Sequence, residues 1–364
     1  MLLKESYDSF TQRIAAYYCT VFAPMEGKVS LPGISEEAFS QLHEFFNELY
    51  KLLYEKSDAL VVNVKEDIYL KKDEHKSKNQ TFKKAEDAIK PVIVDFIDFL
   101  YNAGQTGEIS DNNLISNKAV YERYISKRKR EKLIFLEGLA TIGFQVNVVE
   151  DNVILLNHKY TDMFQAMQIF SQKCAQNIHK QGKLSFFTCD FCALDTQYEI
   201  KADEILSRII NCNNEYRYLL DLHKYLSSNG YSIECKPESD IALEVLYTNR
   251  KIKSSPLLGI QFDIRYDEPV FVNIKFVSTS RLTPIIGTLT DELQEAFFND
   301  AGYCRGADCG WCKNQKGLLR PSKLEVKDKQ KIICWYAQKS FSKVKEKDLD
   351  TIFGYINFQE QLAK

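Results

Sequence analysis

FQVNVVEDNVILLN, residues Phe144–Asn157, decides the reading of the first half of the chain. Phe144, Val146 and Val148 alternate with polar residues, and Val153 and Leu155 answer them after a short polar break. Alternation on both sides of a turn is the mark of a β-hairpin. Upstream, LIFLEGLATIGF (Leu133–Phe144) reads as a helix, and Asp111 stands where another would begin. Helix, helix, hairpin is the order of parts in a winged helix-turn-helix, which predicts such a block over residues 111–157.

Working outward, apolar side chains recur at Phe39, Leu42, Phe45, Phe46, Leu49, Leu52 and Leu53 with a 3.6-residue period. That predicts an amphipathic helix from Glu36 to Tyr54, capped by Ser35. A second helix runs to Tyr101, and a third starts near Thr161 and carries Met163, Phe164, Met167 and Phe170. Residues 181–200 read as a junction. Beyond it, helices are expected near Asp203–Ile210 and Glu215–Leu226, the latter ended by Gly230. Strand-like alternation then takes over at Ile241–Tyr247, Ile260–Tyr266 and Val270–Phe276. The last two runs flank Asp267-Glu268-Pro269 and predict an antiparallel hairpin with one face covered and one polar. A helix from Thr290, a short hairpin (LEV-KDKQ-KIIC) and a helix through Leu349, Ile352, Phe353 and Ile356 complete the pattern. The expected class is α+β. A helical region, 1–180, is followed by a sheet domain, 201–364, that contains a four-cysteine module at 302–336.

Composition sets the outer bounds. The chain has 364 residues, 45% apolar and 27% charged, which suits packed globular domains and excludes collagen-like or wholly disordered states. With 48 basic against 50 acidic residues, the net charge of −2 gives no global attraction to nucleic acid or to an anionic membrane. MLLKESYDSF lacks the apolar core of a signal peptide. PVIVDFIDFLY, the most apolar stretch, is interrupted by Asp95 and Asp98 and falls short of the roughly 20 residues a membrane span needs. A cytoplasmic protein without a membrane partner is therefore expected.

In that compartment the ten cysteines read as metal ligands where clustered and as small core residues where scattered. GYCRGADCGWCKNQKGLLRPSKLEVKDKQKIIC places Cys304, Cys309, Cys312 and Cys334 in a C-x4-C-x2-C-x21-C spacing. Four thiolates close a tetrahedral shell on Zn²⁺. The predicted hairpin returns Cys334 to the first three, and a metal would hold a charged segment too small for a core of its own. Zinc is the expected metal, with a [2Fe–2S] cluster as the alternative. Cys189 and Cys192 form a lone CxxC, read as incidental thiols.

Two basic segments stand out. From Lys118 to Lys132 seven basic residues face two acidic ones, with Lys127, Arg128, Lys129 and Arg130 in a row. They fall at the start of the second helix of the winged-helix block, where phosphates would be gripped. The other runs from Arg305 to Lys331, near Trp311, Trp335 and Tyr336, aromatics expected to shield the metal from water. No HExxH, GxSxG, P-loop or GxGxxG occurs, and five histidines are scattered. Glu325-Val326-Lys327, with Asp308 upstream, is the sole nuclease-like pattern. A binding or regulatory role, with a protein or nucleic-acid partner, is favoured over catalysis.

Two resemblances accompany these residues. CRGADCGWC (Cys304–Cys312) resembles the cluster loop of plant-type ferredoxins, which implies an iron–sulfur redox role. The return to Cys334 is shorter than in that family. The order of parts also resembles that of uncharacterised proteins of anaerobic Gram-positive bacteria with a C-terminal four-cysteine module, a resemblance that implies no activity.

Overall fold

In a computed structural model, the described residues are 12–13, 15–17, 33–60, 93–176, 186, 201–212, 214–239, 242–263, 269–277, 279–304, 321–334, 338–342, 344 and 346–363. They form a mixed α/β protein, with helices dominating the N-terminal half and antiparallel sheets prominent later. Two compact units divide the chain. One comprises 1–216 with 239–241 and 264–267; the other comprises 217–238, 242–263 and 268–364.

In the first unit, α1 spans Glu36–Glu55 and begins where Ser35 caps it by accepting from the Ala38 amide at 3.0 Å. Its apolar stripe, Phe39 through Leu53, is buried as the periodicity requires. Helix α2 (Ile93–Thr106) leads into strands β1 (Glu108–Ser110) and β2 (Asn113–Asn117). Then follow α3 (Lys118–Ile125), α4 (Lys129–Leu139), the hairpin β3 (Phe144–Val149) and β4 (Asn152–Asn157), and α5 (Met163–Gln176). The four strands form one antiparallel sheet in the order β1-β2-β4-β3. The expected 144–157 hairpin is present, with Val148 opposite Val153 and Val146 opposite Leu155.

One expectation fails here. Asp111 starts no helix; Asp111 and Asn112, at φ 48° and 62°, form the turn between β1 and β2. Asp and Asn tolerate the left-handed region that a tight hairpin turn needs, so the same residue types that cap helices here close a hairpin. The helix begins at Lys118, where the Asn117 side chain accepts from the Ala119 amide at 2.8 Å.

The core of this unit is aromatic. Phe96 meets Phe135 and Phe144 edge-on, at centroid distances of 5.2 and 5.4 Å, and joins α2 to α4 and to β3. Such edge-to-face pairs add to the burial of large rings. Helix α2 approaches α5 so closely that a Cβ on Gly104 would lie 2.3 Å from Ser171 Oγ. Gly143, at φ 81°, makes the turn into β3, where a Cβ would meet Asn157 Oδ1 at 2.7 Å. That Asn157 oxygen accepts from the amides of Lys159 and Tyr160, which fixes the exit of the hairpin. Helix α6 (Ala202–Cys212) also belongs to this unit.

The second unit is built on a five-stranded sheet in the order β11-β8-β7-β6-β5. Its strands are β5 (Ser232–Ser239), β6 (Ala242–Thr248), β7 (Leu258–Asp263), β8 (Val270–Lys275) and β11 (Gln338–Ser342). β7 and β8 pair antiparallel, as the hairpin reading of residues 260–276 predicts, and β6 pairs antiparallel with β7. Around them are α7 (Tyr218–Ser228), α8 (Asp291–Asp300) and α9 (Glu346–Glu360). Phe276, Phe297 and Tyr355 interlock, and Asp300 accepts from Tyr355 at 3.0 Å and from Lys339 at 2.6 Å.

The half-exposed sheet anticipated from alternation is not what forms. Glu244, Asp263 and Asn273 stand on the polar side, yet all are buried, Asp263 completely. Alternation reports polarity, not cover. A second sheet of two strands, β9 (Ser322–Val326) and β10 (Lys329–Ile333), turns at Lys327, which adopts φ 53°.

Candidate functional site

Of the four proposed metal ligands, Cys304 and Cys334 are described; Cys309, Cys312, Trp311, Trp335, Tyr336 and Asp308 lie outside the described residues, as do Cys189 and Cys192. Tyr303 bridges Ile333, with the Cys304 amide donating to Ile332 O and the Cys334 amide to Gly302 O, each at 3.0 Å. The 302–304 segment thus adds to the β10 edge of the hairpin. Opposite residues share a face and the side-chain period is two. Cys304 and Cys334 are therefore diagonal neighbours on one face of this ladder. Both are partly exposed, reduced thiols. Thr279 Oγ1 fixes the far end by donating to the Cys334 carbonyl at 3.2 Å, and it shares a 3.1 Å bond with Ser322 Oγ. Among the described residues no group of three or more His, Cys, Asp or Glu side chains comes together.

The basic run falls at the junction of α3 and α4. Lys127 and Arg128 occupy the turn, Lys129 and Arg130 the first positions of α4, and all four are exposed. Arg128, the N-cap, sits at φ 54° and its side chain caps no amide. The first amides of a helix have no partner within it, so an uncapped N-terminus ringed by cations favours an anion. Lys132 departs from its neighbours. It is turned inward, 2% exposed, and donates to Asp95 at 2.6 Å and to the Tyr124 carbonyl at 2.5 Å. Its charge is spent inside the fold and does not count toward a phosphate-binding edge. Lys118 pairs with Glu122 at 3.5 Å. At the tip of the β3–β4 hairpin stand Glu150 and Asp151, both exposed.

The nuclease-like triplet is divided among surface ion pairs. Glu325 pairs with Lys323 on β9, whereas Lys327 reaches Asp291 and Glu295 of α8 at 3.5 Å each. Those carboxylates hold the Lys327 ammonium above its ordinary pKa, so it remains a cation rather than a base. Among the histidines, His43 contacts Asn47 at 3.1 Å and His223 contacts the Tyr247 hydroxyl at 3.0 Å.

A cleft of about 590 Å³ lies between α2 and α3. Asp95, Asp98 and Asn102 line one wall, Arg123, Tyr124 and Lys127 the other. Phe99 stacks on Tyr124 at 4.9 Å beneath them. The Tyr124 hydroxyl is buried and has no hydrogen-bond partner. Burial first, and then the Asp95 carboxylate and Tyr121, hold it well above the usual tyrosine pKa, so it stays a donor. The sequence carried a faint signal for this site. Asp95, Asp98 and Asn102 recur at i, i+3 and i+7 on α2, and Arg123 precedes Lys127 by one turn. On sequence alone those two aspartates only interrupt the most apolar stretch.

No helix among the described residues is long and apolar enough to cross a membrane. Compared with protein-family models, curated proteins and solved structures, the chain matches none.

Proposed function

We propose that the first unit is a winged-helix DNA-binding module and that the protein acts as a regulator. The observation that carries this reading is the exposed run Lys127–Arg130 at the uncapped N-terminus of α4, the second helix of a strand-helix-helix-hairpin unit. β2 pairs with β4, which pairs with β3, so the hairpin stands beside the strand that precedes α3. That is the arrangement in which a winged helix presents its second helix to a major groove. The acidic hairpin tip would be repelled by phosphate. Contact therefore runs through α4 and the α3–α4 turn, with the hairpin held away from the backbone. A mobility-shift assay on duplex DNA at about 50 mM salt tests this, because non-specific binding is strongest at low salt. A shift weakened by replacing the four cations with alanine is expected; no shift at micromolar protein overturns the reading and leaves a protein partner.

A second reading concerns the C-terminal module and is compatible with the first. We infer that Cys304, Cys309, Cys312 and Cys334 hold one structural Zn²⁺. Its support is the placement of Cys304 and Cys334 on one face of adjoining strands, thirty residues apart in sequence. Bound zinc would clamp the loop between them to the hairpin. Metal analysis of protein purified anaerobically should give about one zinc per chain, colourless. A brown protein containing iron and sulfide would replace zinc by a redox cluster.

A further inference from the structure

We propose that Ile134 and Glu137, on the outer face of α4, read DNA sequence, and that the preferred duplex carries a thymine and a cytosine within about two base pairs of each other. This rests on the DNA-binding reading above and supplies what that reading lacks. The cations of Lys127–Arg130 meet phosphates, and phosphate contacts position a protein without carrying sequence.

α4 buries Lys132, Phe135 and Leu139 on one side. Phe135 meets Phe96, Lys132 reaches Asp95, and Leu60 packs on Gly138 so closely that a Cβ there would collide with it. These contacts fix the roll of the helix. Ile134 and Glu137 lie one turn apart on the side turned away from the buried three, and both are exposed, Ile134 by 39%. Among the described residues no ion pair engages Glu137. A large branched apolar side chain and a carboxylate thus extend the face that four exposed cations begin. That charge complements a duplex, so DNA is the occupant assigned to this face.

The two side chains differ in what they accept. In the major groove thymine presents its C5 methyl group, the apolar surface that Ile134 would cover. Glu137 can only accept hydrogen bonds, and phosphate repels it. Guanine presents two acceptors there, and the adenine amino group stands beside the N7 acceptor; the N4 amino group of cytosine has no such neighbour. Glu137 therefore favours cytosine and rejects the alternatives, which is specificity by exclusion. Three residues of helix rise about 4.5 Å against about 3.4 Å per base pair, which sets the spacing of the two bases.

Selection by the full chain from a pool of duplexes with a randomised centre should enrich a thymine and a cytosine so spaced. Deoxyuridine in place of that thymine removes one methyl group. Wild-type affinity should then fall about fourfold, the scale of one buried carbon, while Ile134→Ala should be indifferent to the exchange. Glu137→Gln keeps the shape of the side chain and removes its charge. It should bind random duplex roughly two- to fivefold more tightly, the scale of one screened surface charge, and prefer adenine to cytosine. Circular dichroism would verify that both variants fold. Duplex binding with no enriched sequence overturns the proposal and leaves the DNA-binding reading standing. No binding to any duplex overturns both. An enriched sequence that both variants read as the wild type does would assign specificity to other side chains and overturn the proposal as well.

Discussion

Replacing Lys132 by methionine separates structural charge from DNA-facing charge within one basic segment. The methionine keeps most of the stem and its packing, while the ammonium is lost. Two groups are then left behind: the Tyr124 carbonyl, which accepts at 2.5 Å from an Nζ that is itself nearly inaccessible, and the Asp95 carboxylate. The carbonyl lies in a buried setting and loses its charged donor, a cost of about 1–3 kcal/mol. Asp95 retains 38% side-chain exposure, so water resolvates it and its share is no more than about 1 kcal/mol. The ammonium also sits 4.8 Å from the Tyr124 ring centroid, worth about another 0.5–1 kcal/mol. Some of this is regained by burying the new methyl group. The net expectation is a loss of about 2–3 kcal/mol in the first unit. Urea unfolding followed by far-ultraviolet circular dichroism reads it, and the salt slope of DNA binding should be unchanged because Lys132 makes no phosphate contact. Unaltered stability, or a lowered salt slope, would refute the assignment of Lys132 to the interior.

Gly104→Ala should destabilise the first unit by about 1–3 kcal/mol, since its Cβ would lie 2.3 Å from Ser171 Oγ and 3.2 Å from the Met167 carbonyl; Gly104→Ala with Ser171→Gly should recover part of the loss in the same unfolding assay. Cys309→Ser or Cys312→Ser should remove bound zinc and expose the segment after residue 300 to limited proteolysis while sparing the first unit; an unchanged digest would mean that the thiols hold nothing. Alkaline titration gives a third expectation. Burial pushes Tyr101 and Tyr225 up to about 12 and raises Tyr231, Tyr247 and Tyr355 further. Above pH 10 the unfolded chain releases these protons and the folded chain keeps them, so stability must fall as pH rises from the ordinary tyrosine value toward the folded ones. Phenolate absorbance should therefore lag behind that of the urea-unfolded chain, and coincident curves would contradict the burial of these rings.

The elements most legible in the sequence are those whose signal is local. The apolar stripe of α1 and its Ser35 cap, the β3–β4 alternation, and the antiparallel β7–β8 pair need only neighbours in the chain to be recognised. What escaped depends on tertiary context. β11, QKSFS, has little apolar alternation and becomes a strand because β8 offers it an unpaired edge. β1 and β2 are short, and their turn residues, Asp111 and Asn112, serve equally well as helix caps. Lys132 is one letter in a basic run, and only the position of Asp95, thirty-seven residues away, reveals that it points inward. The cleft was least legible of all, because its two walls come from helices separated by a hairpin and its most telling group is a tyrosine hydroxyl defined by the partner it lacks.

The claim that the first unit holds DNA through the start of α4 is tested most directly by the slope of log affinity against log salt, measured for the wild-type chain and for the variant with Lys127, Arg128, Lys129 and Arg130 all changed to alanine. Each phosphate contact contributes about 0.9 to that slope on duplex DNA, so loss of the four side chains should flatten it by up to about 3–4 and weaken binding to any duplex by a similar factor. Equal slopes for the two proteins, or no salt-dependent binding by either, would contradict the account.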